Sequence, residues 1–168
     1  MFGIMITERL QLKPLVQSDA SQISSLLAND PETIEMTEDL PSPCTLEAAE
    51  LWVRSKQKPG QNVFAIQLNQ TGDLIGCVGI KQNGAVVHLE YWIGQKYQNN
   101  GYAPEAACAV VRNSKSLGIT EVLSEVFTEN KSSARVLQKL DFKHIGEITR
   151  NIPSRGGIRA MNEFQFYR

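Results

Sequence analysis

The sequence predicts a mixed α/β fold: a mostly antiparallel sheet with one parallel strand pair, its strands alternating with helices. Three observations carry that class. Strand-like runs at residues 63–68, 73–80 and 86–93 are joined by hairpin-type turns. A helical run then separates the third of them from a strand at 121–127. Two last strand-like runs, 143–150 and 160–167, follow a further helix. With 168 residues and 42% hydrophobic content, the chain is long enough for one well-buried core and short for two, so a single domain over 1–168 is expected.

Taken in order, Glu8-Arg9-Leu10-Gln11-Leu12-Lys13-Pro14-Leu15 alternates polar and apolar residues with the period of a half-buried strand, and Pro14 confines it to an edge or an end. Ser18 reads as the N-cap of a helix whose Ile23, Leu26 and Leu27 share one face and which stops before Asn29-Asp30-Pro31. Residues 29–44 read as a mobile connection. Thr45 caps a second helix that buries Leu46, Ala49 and Val53 and ends before Pro59-Gly60, with Trp52 as a core anchor. The turns Asn69-Gln70-Thr71-Gly72 and Asn83-Gly84 make the three middle strands an antiparallel meander. A helix through Ala106, Val110, Val111 and Leu117 ends at Gly118, a suitable C-terminal cap. Strand, crossover helix and strand form a βαβ unit, which sets strands 86–93 and 121–127 parallel and the intervening loop at a strand's C-terminal end, where ligands bind. Residues 128–139 run into a helix with Ala134, Leu137 and Leu140 on its inner face. The segment 151–159 reads either as a mobile rim or as a plain hairpin tip.

A net charge of −1 provides no general field for nucleic acid or an anionic membrane surface, so neither is expected as a partner. No apolar run approaches the roughly 18 residues that cross a bilayer. Cys44, Cys77 and Cys108 are odd in number, widely spaced and without metal-type pairing, which fits a reducing, cytoplasmic setting and no bound metal.

Between strand 86–93 and the helix after it lies Gln98-Asn99-Asn100-Gly101-Tyr102-Ala103-Pro104-Glu105. Free N–H groups at a helix start carry partial positive charge, and a glycine in the turn lets a pyrophosphate approach the main chain, so this loop reads as a phosphate cradle. Pro104 suits the first helical turn, where a missing N–H costs nothing. Glu105 suits a helix N-terminus but opposes a phosphate, so its side chain is expected to turn away from the ligand. The sequence contains neither the nucleotide pattern Gly-x-x-x-x-Gly-Lys-Ser/Thr nor the dinucleotide pattern Gly-x-Gly-x-x-Gly.

Gln98-x-x-Gly101-x-Ala103 resembles the acyl-CoA pyrophosphate loop of the GCN5-related N-acetyltransferase (GNAT) superfamily. A second block, Asn130-x-x-Ser133 followed by a helix and Lys139-Leu140-Asp141-Phe142, falls where that family carries Asn-x-x-Ser/Ala and Lys-Leu-Gly-Phe. Asp141 replaces the usual glycine but tolerates the same left-handed backbone. Thr7-Glu8-Arg9-Leu10-x-Leu12-Lys13-Pro14-Leu15, Leu74-Ile75-Gly76-x-x-Gly79 and Leu89-Glu90-Tyr91-Trp92-Ile93 resemble the branch containing ribosomal-protein N-terminal acetyltransferases. The resemblance implies a mixed, strongly twisted sheet flanked by helices and splayed between strands 86–93 and 121–127 to admit a pantetheine arm. It also implies acetyl-CoA as acyl donor, and transfer to a primary amine, foremost a protein or peptide N-terminus. The alternatives are a small-molecule amine acetyltransferase and a catalytically silent acyl-CoA-binding module.

Acyl transfer to an amine needs a neutral nucleophile near the carbonyl, donors for the oxyanion and a tolerable thiolate leaving group. By resemblance, main-chain groups of Trp92 and Ile93 grip the pantetheine. Gln98, Asn99, Asn100, Gly101, Tyr102 and Ala103 hold the pyrophosphate, and Asn130 contacts the pantetheine from the other side, unless it is only an N-cap. Strand alternation puts Val86, His88, Glu90 and Trp92 on one face, which makes Glu90 the leading base; its other reading is a solvated or salt-bridged carboxylate. His88 ranks second. The tyrosine with which many members protonate the leaving sulfur would fall at Leu137, so Ser133 is left as donor to the sulfur, or as a plain first-turn serine. Asp30, Glu32, Glu35, Glu38 and Asp39, with no Lys or Arg among them, either form a solvated acidic loop or draw a cationic amine to the acceptor channel.

Overall fold

Eight strands and five helices form in a computed structural model that describes residues 2–167. The strands are β1 (Met5–Ile6), β2 (Leu10–Pro14), β3 (Gln61–Leu68), β4 (Leu74–Asn83), β5 (Val86–Ile93), β6 (Glu121–Phe127), β7 (Lys143–Ile152) and β8 (Gly157–Tyr167). The helices are α1 (Ala20–Leu27), α2 (Pro31–Glu35), α3 (Leu46–Lys56), α4 (Tyr102–Ser116) and α5 (Lys131–Lys139). All eight strands lie in one sheet of order β1-β2-β3-β4-β5-β6-β8-β7, antiparallel except for β5 with β6. The expected fold class is therefore observed.

The parallel pair is barely a pair. Only His88 and Leu123 are in register, and beyond them the strands diverge. Near the fork the Ser124 hydroxyl donates to the Leu89 carbonyl at 2.9 Å, a side chain standing in for a ladder bond.

Each face of the sheet is covered. Ala106, Ala107 and Val110 of α4 and Leu137 of α5 close one face against Leu12, Phe64 and Val78. Ile23 and Leu27 of α1 with Ala49, Trp52 and Val53 of α3 close the other against Ala65, Cys77 and Trp92. Two alanines in α4 let that helix approach the sheet closely, and Gly76 matters likewise on β4, because a Cβ there would collide with the Trp92 carbonyl. No helix among the described residues is long and apolar enough to cross a membrane.

Several local expectations give way. Ser18 does not cap α1: a single 3₁₀ turn over Gln17–Asp19 precedes the helix, and Asp19 accepts from the Val16 N–H at 2.9 Å. Leu46 and Leu117 are exposed, since each sits at a helix end beyond the face that meets the sheet. The connection 29–44 is ordered rather than mobile. Buried Asp30 caps α2 by accepting from the Thr33 N–H at 3.1 Å and its hydroxyl at 2.6 Å, and Ile34, Leu40 and Cys44 join the core. The segment 151–159 is shorter than expected, because pairing continues to Ile152 and Gly157. It is pinned, not mobile: buried Arg155 donates to the Thr37 carbonyl at 2.8 Å and the Leu40 carbonyl at 2.6 Å.

Candidate active site

Where β5 and β6 part, backbone alternation decides which groups reach the gap. The Gly94 N–H bonds the Ile75 carbonyl at 2.8 Å, so even-numbered residues of β5 pair with β4 and odd-numbered ones point toward β6. The carbonyls of Leu89, bound by Ser124, and of Ile93, which accepts from Gln98 Nε2 at 2.8 Å, follow that rule. Main-chain groups of Tyr91 and Ile93 therefore face the gap. Those of Trp92, expected to grip pantetheine, are turned into the β4 ladder opposite Cys77. Trp92 offers its side chain instead: the indole packs on Trp52 with centroids 6.3 Å apart, and its buried Nε1 has no hydrogen-bond partner among the described residues.

The loop that follows is braced from behind. Asn99 (φ 63°) and Gly101 (φ 79°) are both left-handed, and a Cβ at Gly101 would come 3.3 Å from an Arg9 guanidinium nitrogen. No side chain caps α4, so the N–H groups of Tyr102 and Ala103 stay open at its N-terminus while Pro104 has none to satisfy. Gln98 spends its amide on Ile93 and, at 3.3 Å, on Thr33, fixing the loop to the strand end. Asn100 does not line the cleft. Its side chain donates to the Tyr97 and Gln98 carbonyls at 3.0 Å each, and its own carbonyl accepts from Arg9 at 2.7 Å. Glu105 turns away from the cleft as expected, accepting from the Thr7 hydroxyl at 2.6 Å, the Arg9 N–H at 2.9 Å and Arg9 Nε at 2.8 Å. Burial pushes its carboxyl up, but these bonds and the Arg9 charge outweigh burial and hold it below the usual carboxylate range.

Loop and α5 enclose a cleft of about 420 Å³, lined by Gln98, Gly101 and Ala103 on one side and Asn130 and Ser133 on the other. Lys131, Arg135 and Lys139 also line it, four residues apart on one face of α5. This cationic stripe was not anticipated, although its spacing is readable in the sequence. Asn130 does act as an N-cap, accepting from the Ser133 N–H at 3.2 Å, and its amide donates to the Ser133 hydroxyl at 3.2 Å. That leaves the Ser133 hydroxyl proton free to be donated elsewhere. The Tyr91 phenol reaches across the gap to donate to the Ser133 carbonyl at 2.9 Å; burial raises its pKa strongly, so it stays neutral.

Beside the cleft lies a smaller chamber of about 80 Å³, and the two share Met36, Thr37, Tyr91, Trp92, Asn130 and Ser133 in their walls. Carboxylates of Glu38, Asp39, Glu90 and Glu125 line the chamber, with Lys56 among them. Lys56 Nζ lies 2.7 Å from Glu90 Oε1 and 2.7 Å from Asp39 Oδ2. The lysine side chain is 5% exposed, while Glu90 and Asp39 are 40% and 53% exposed. Burial lowers the Lys56 pKa, but the charges of Glu90 and Asp39 outweigh it and carry the value above the ordinary lysine range, so the ammonium persists. Glu90 is thus the salt-bridged carboxylate of the second reading and still borders the chamber. His88 lies outside the chamber wall, its Nδ1 3.9 Å from Glu125. The acidic run is also not the uncompensated field its sequence suggests. Lys56 neutralises Asp39, Arg150 bridges Glu38 at 2.7 Å to Glu125 at 2.5 Å, and Asp30 is consumed in capping.

Known proteins share this fold and sequence pattern. The Bacillus subtilis (strain 168) N-acetyltransferase YoaA, whose activity is uncharacterized, is 29% identical over 154 residues, 87% of this chain and 86% of YoaA. RimL, a ribosomal L7/L12 alpha-N-protein acetyltransferase solved with coenzyme A, superposes with a TM-score of 0.85 at 15% identity, covering 98% of this chain and 97% of RimL. The ribosomal-protein-S5-alanine acetyltransferase of Vibrio fischeri superposes with a TM-score of 0.82 at 16% identity over 99% and 97% of the two chains. Residues 9–143 match the family described as the acetyltransferase (GNAT) domain; the chain belongs to that family and is an acetyltransferase.

Proposed function

We propose that this chain, as one domain over 1–168, transfers an acetyl group from acetyl-CoA to a primary amine by direct attack in a ternary complex, with a protein or peptide N-terminal α-amine the favoured acceptor. The observation that carries the reading is that cleft and chamber adjoin at Tyr91, Trp92, Asn130 and Ser133, which line both, so that a donor in one and an acceptor in the other would meet from opposite sides. The open N–H groups of Tyr102 and Ala103 receive the pyrophosphate, and Lys131, Arg135 and Lys139 supply charge for the donor's phosphates. The thioester lies along the gap, where an N–H of Tyr91 or Ile93 stabilises the oxyanion. The amine nitrogen attacks the carbonyl carbon, and Glu90 takes its proton directly or through water. The carbon–sulfur bond then breaks, and the Ser133 hydroxyl hydrogen-bonds the departing thiolate. A thiol pKa of about 8.5 makes a stronger acid unnecessary, which accommodates Leu137 where many relatives place tyrosine.

Proton cost supports the α-amine. Its pKa lies about 2.5 units below that of lysine, so at neutral pH its reactive neutral fraction is greater by more than about a hundredfold. The two ribosomal-protein acetyltransferases of like fold support the same choice. A cytoplasmic site of action belongs to this reading and rests on the three free cysteines. The test is release of free thiol from acetyl-CoA with a panel of N-terminal peptides, lysine peptides and polyamines, for wild type and Glu90→Gln. Glu90→Gln is expected to lower turnover about 10²-fold or more with acetyl-CoA affinity unchanged. Acetyl-CoA binding with no turnover on any amine would favour the silent module, and turnover on lysine or polyamines alone would overturn the α-amine.

A further inference from the structure

We propose that Lys56 is a positioning residue for acyl transfer: it holds the Glu90 carboxylate in the orientation in which its free oxygen meets the acceptor's proton. The inference rests on the reading of Glu90 as base. Lys56 ends α3 on the helix face that already carries Ala49, Trp52 and Val53, so its stem is packed and its ammonium is delivered to one place. That place is the chamber wall, 2.7 Å from Glu90 Oε1, 2.7 Å from Asp39 Oδ2 and 5.4 Å from the Trp52 ring centre. Asp39 is itself tethered, accepting from Trp52 Nε1 at 3.3 Å. The contact engages Oε1 of Glu90 and leaves Oε2 to face acceptor or water, and a carboxylate held by one oxygen loses the rotational freedom that a half-exposed side chain would otherwise keep. A mobile Glu90 would spend part of its time turned away from the nucleophile.

A double-mutant cycle separates this role from simple support of the fold. Lys56→Met and Lys56→Gln are each made in the wild type and in Glu90→Gln, with kcat and KM for a peptide acceptor measured in all. The acetyl-CoA-induced thermal shift checks that the donor site is intact. In the wild-type background both replacements are expected to lower kcat on the order of tenfold, within the range for directly coupled groups, with the thermal shift unchanged. In the Glu90→Gln background the same replacements are expected to change kcat less than about twofold, because nothing is left to orient. Lys56→Arg, which keeps the charge, is expected to recover more activity than either. Equal losses in both backgrounds, or no loss in the wild-type background, would overturn the positioning role. If Lys56→Met does not fold, the Lys56→Gln pair decides on the same criterion. A wild type that binds acetyl-CoA and turns over no amine would overturn the proposed function and this inference with it.

Discussion

Arg9→Ala should weaken acetyl-CoA binding although Arg9 is outside the cleft. The arginine links the start of β2 to the back of the phosphate-type loop. Its side chain donates to Glu105 through Nε at 2.8 Å, approaches the same carboxylate with a second nitrogen at 2.7 Å, donates to the Asn100 carbonyl at 2.7 Å and covers the Tyr102 ring at 4.5 Å. With 43% of the side chain exposed, each polar contact is discounted to about 0.5 kcal/mol. The ring contact adds about 0.5 kcal/mol, for a total near 2 kcal/mol. At about 2–4 °C per kcal/mol for a chain of this size, the melting temperature should fall by roughly 4–8 °C. A loop that is preformed less of the time binds its ligand more weakly by the same fraction; a fivefold loss would remove about 1 kcal/mol of ligand stabilisation.

The pH dependence has a definite sign. The Glu105 carboxyl is held below its ordinary value, so its contribution is complete above the unfolded glutamate value of about 4.3 and disappears as pH falls through the lowered folded value. The deficit of Arg9→Ala should therefore be full at pH 7 and shrink below about pH 4. Differential scanning fluorimetry with and without acetyl-CoA at both pH values measures each quantity. An unchanged melting temperature with an unchanged ligand shift would refute the bracing argument.

Gly101→Val should remove most of the acetyl-CoA-induced stabilisation, which for the wild type at about one hundred times Kd is about 2.7 kcal/mol, because the residue is left-handed and the added side chain meets Arg9; an equal shift in both proteins would sink the phosphate-cradle assignment. Charge reversal at Arg135 and Lys139 should raise the acetyl-CoA Kd about tenfold at low salt and much less at high salt, as isothermal titration would record; a salt-independent loss would mean a packing role instead.

The elements that could be read from the sequence were those whose pattern is local. The meander, the crossover and the second block each combine a period with a turn residue, and Gly101 and Asn130 sit where those patterns put them. What escaped was set by partners distant in the chain. Asp39 and Arg155 belong to segments without periodicity, and only folding brings Arg155 to residues 37 and 40. Lys56 is an intermediate case. It falls at the next step of the spacing 49, 52, 53 on the buried face of α3, so its burial was implied, but a lysine there reads as a helix-end charge until Glu90 and Asp39 are seen beside it. Trp92 is the reverse case: the motif lies on β5 as expected, yet the main chain of Tyr91, and not that of Trp92, faces the gap, because facing in a strand depends on ladder parity, which sequence does not state.

The same long-range contacts change how the acceptor side should be understood. If residues 30–39 were a loose acidic loop, amine selection would be a matter of long-range attraction, sensitive to any reversal of surface charge. Instead Arg155 fixes the carbonyls of Thr37 and Leu40, Arg150 holds Glu38, and Lys56 holds Asp39, so the wall of the chamber is built from ion pairs in a fixed arrangement. Four carboxylates against Lys56 and Arg150 leave a modest negative excess at short range. Under the proposed function an ammonium would be attracted there, and its loss of a proton, to Glu90 in that reading, is the condition for attack. Under the proposed function such a wall suits an α-amine better than a lysine side chain, because the α-amine gives up its proton more readily at neutral pH.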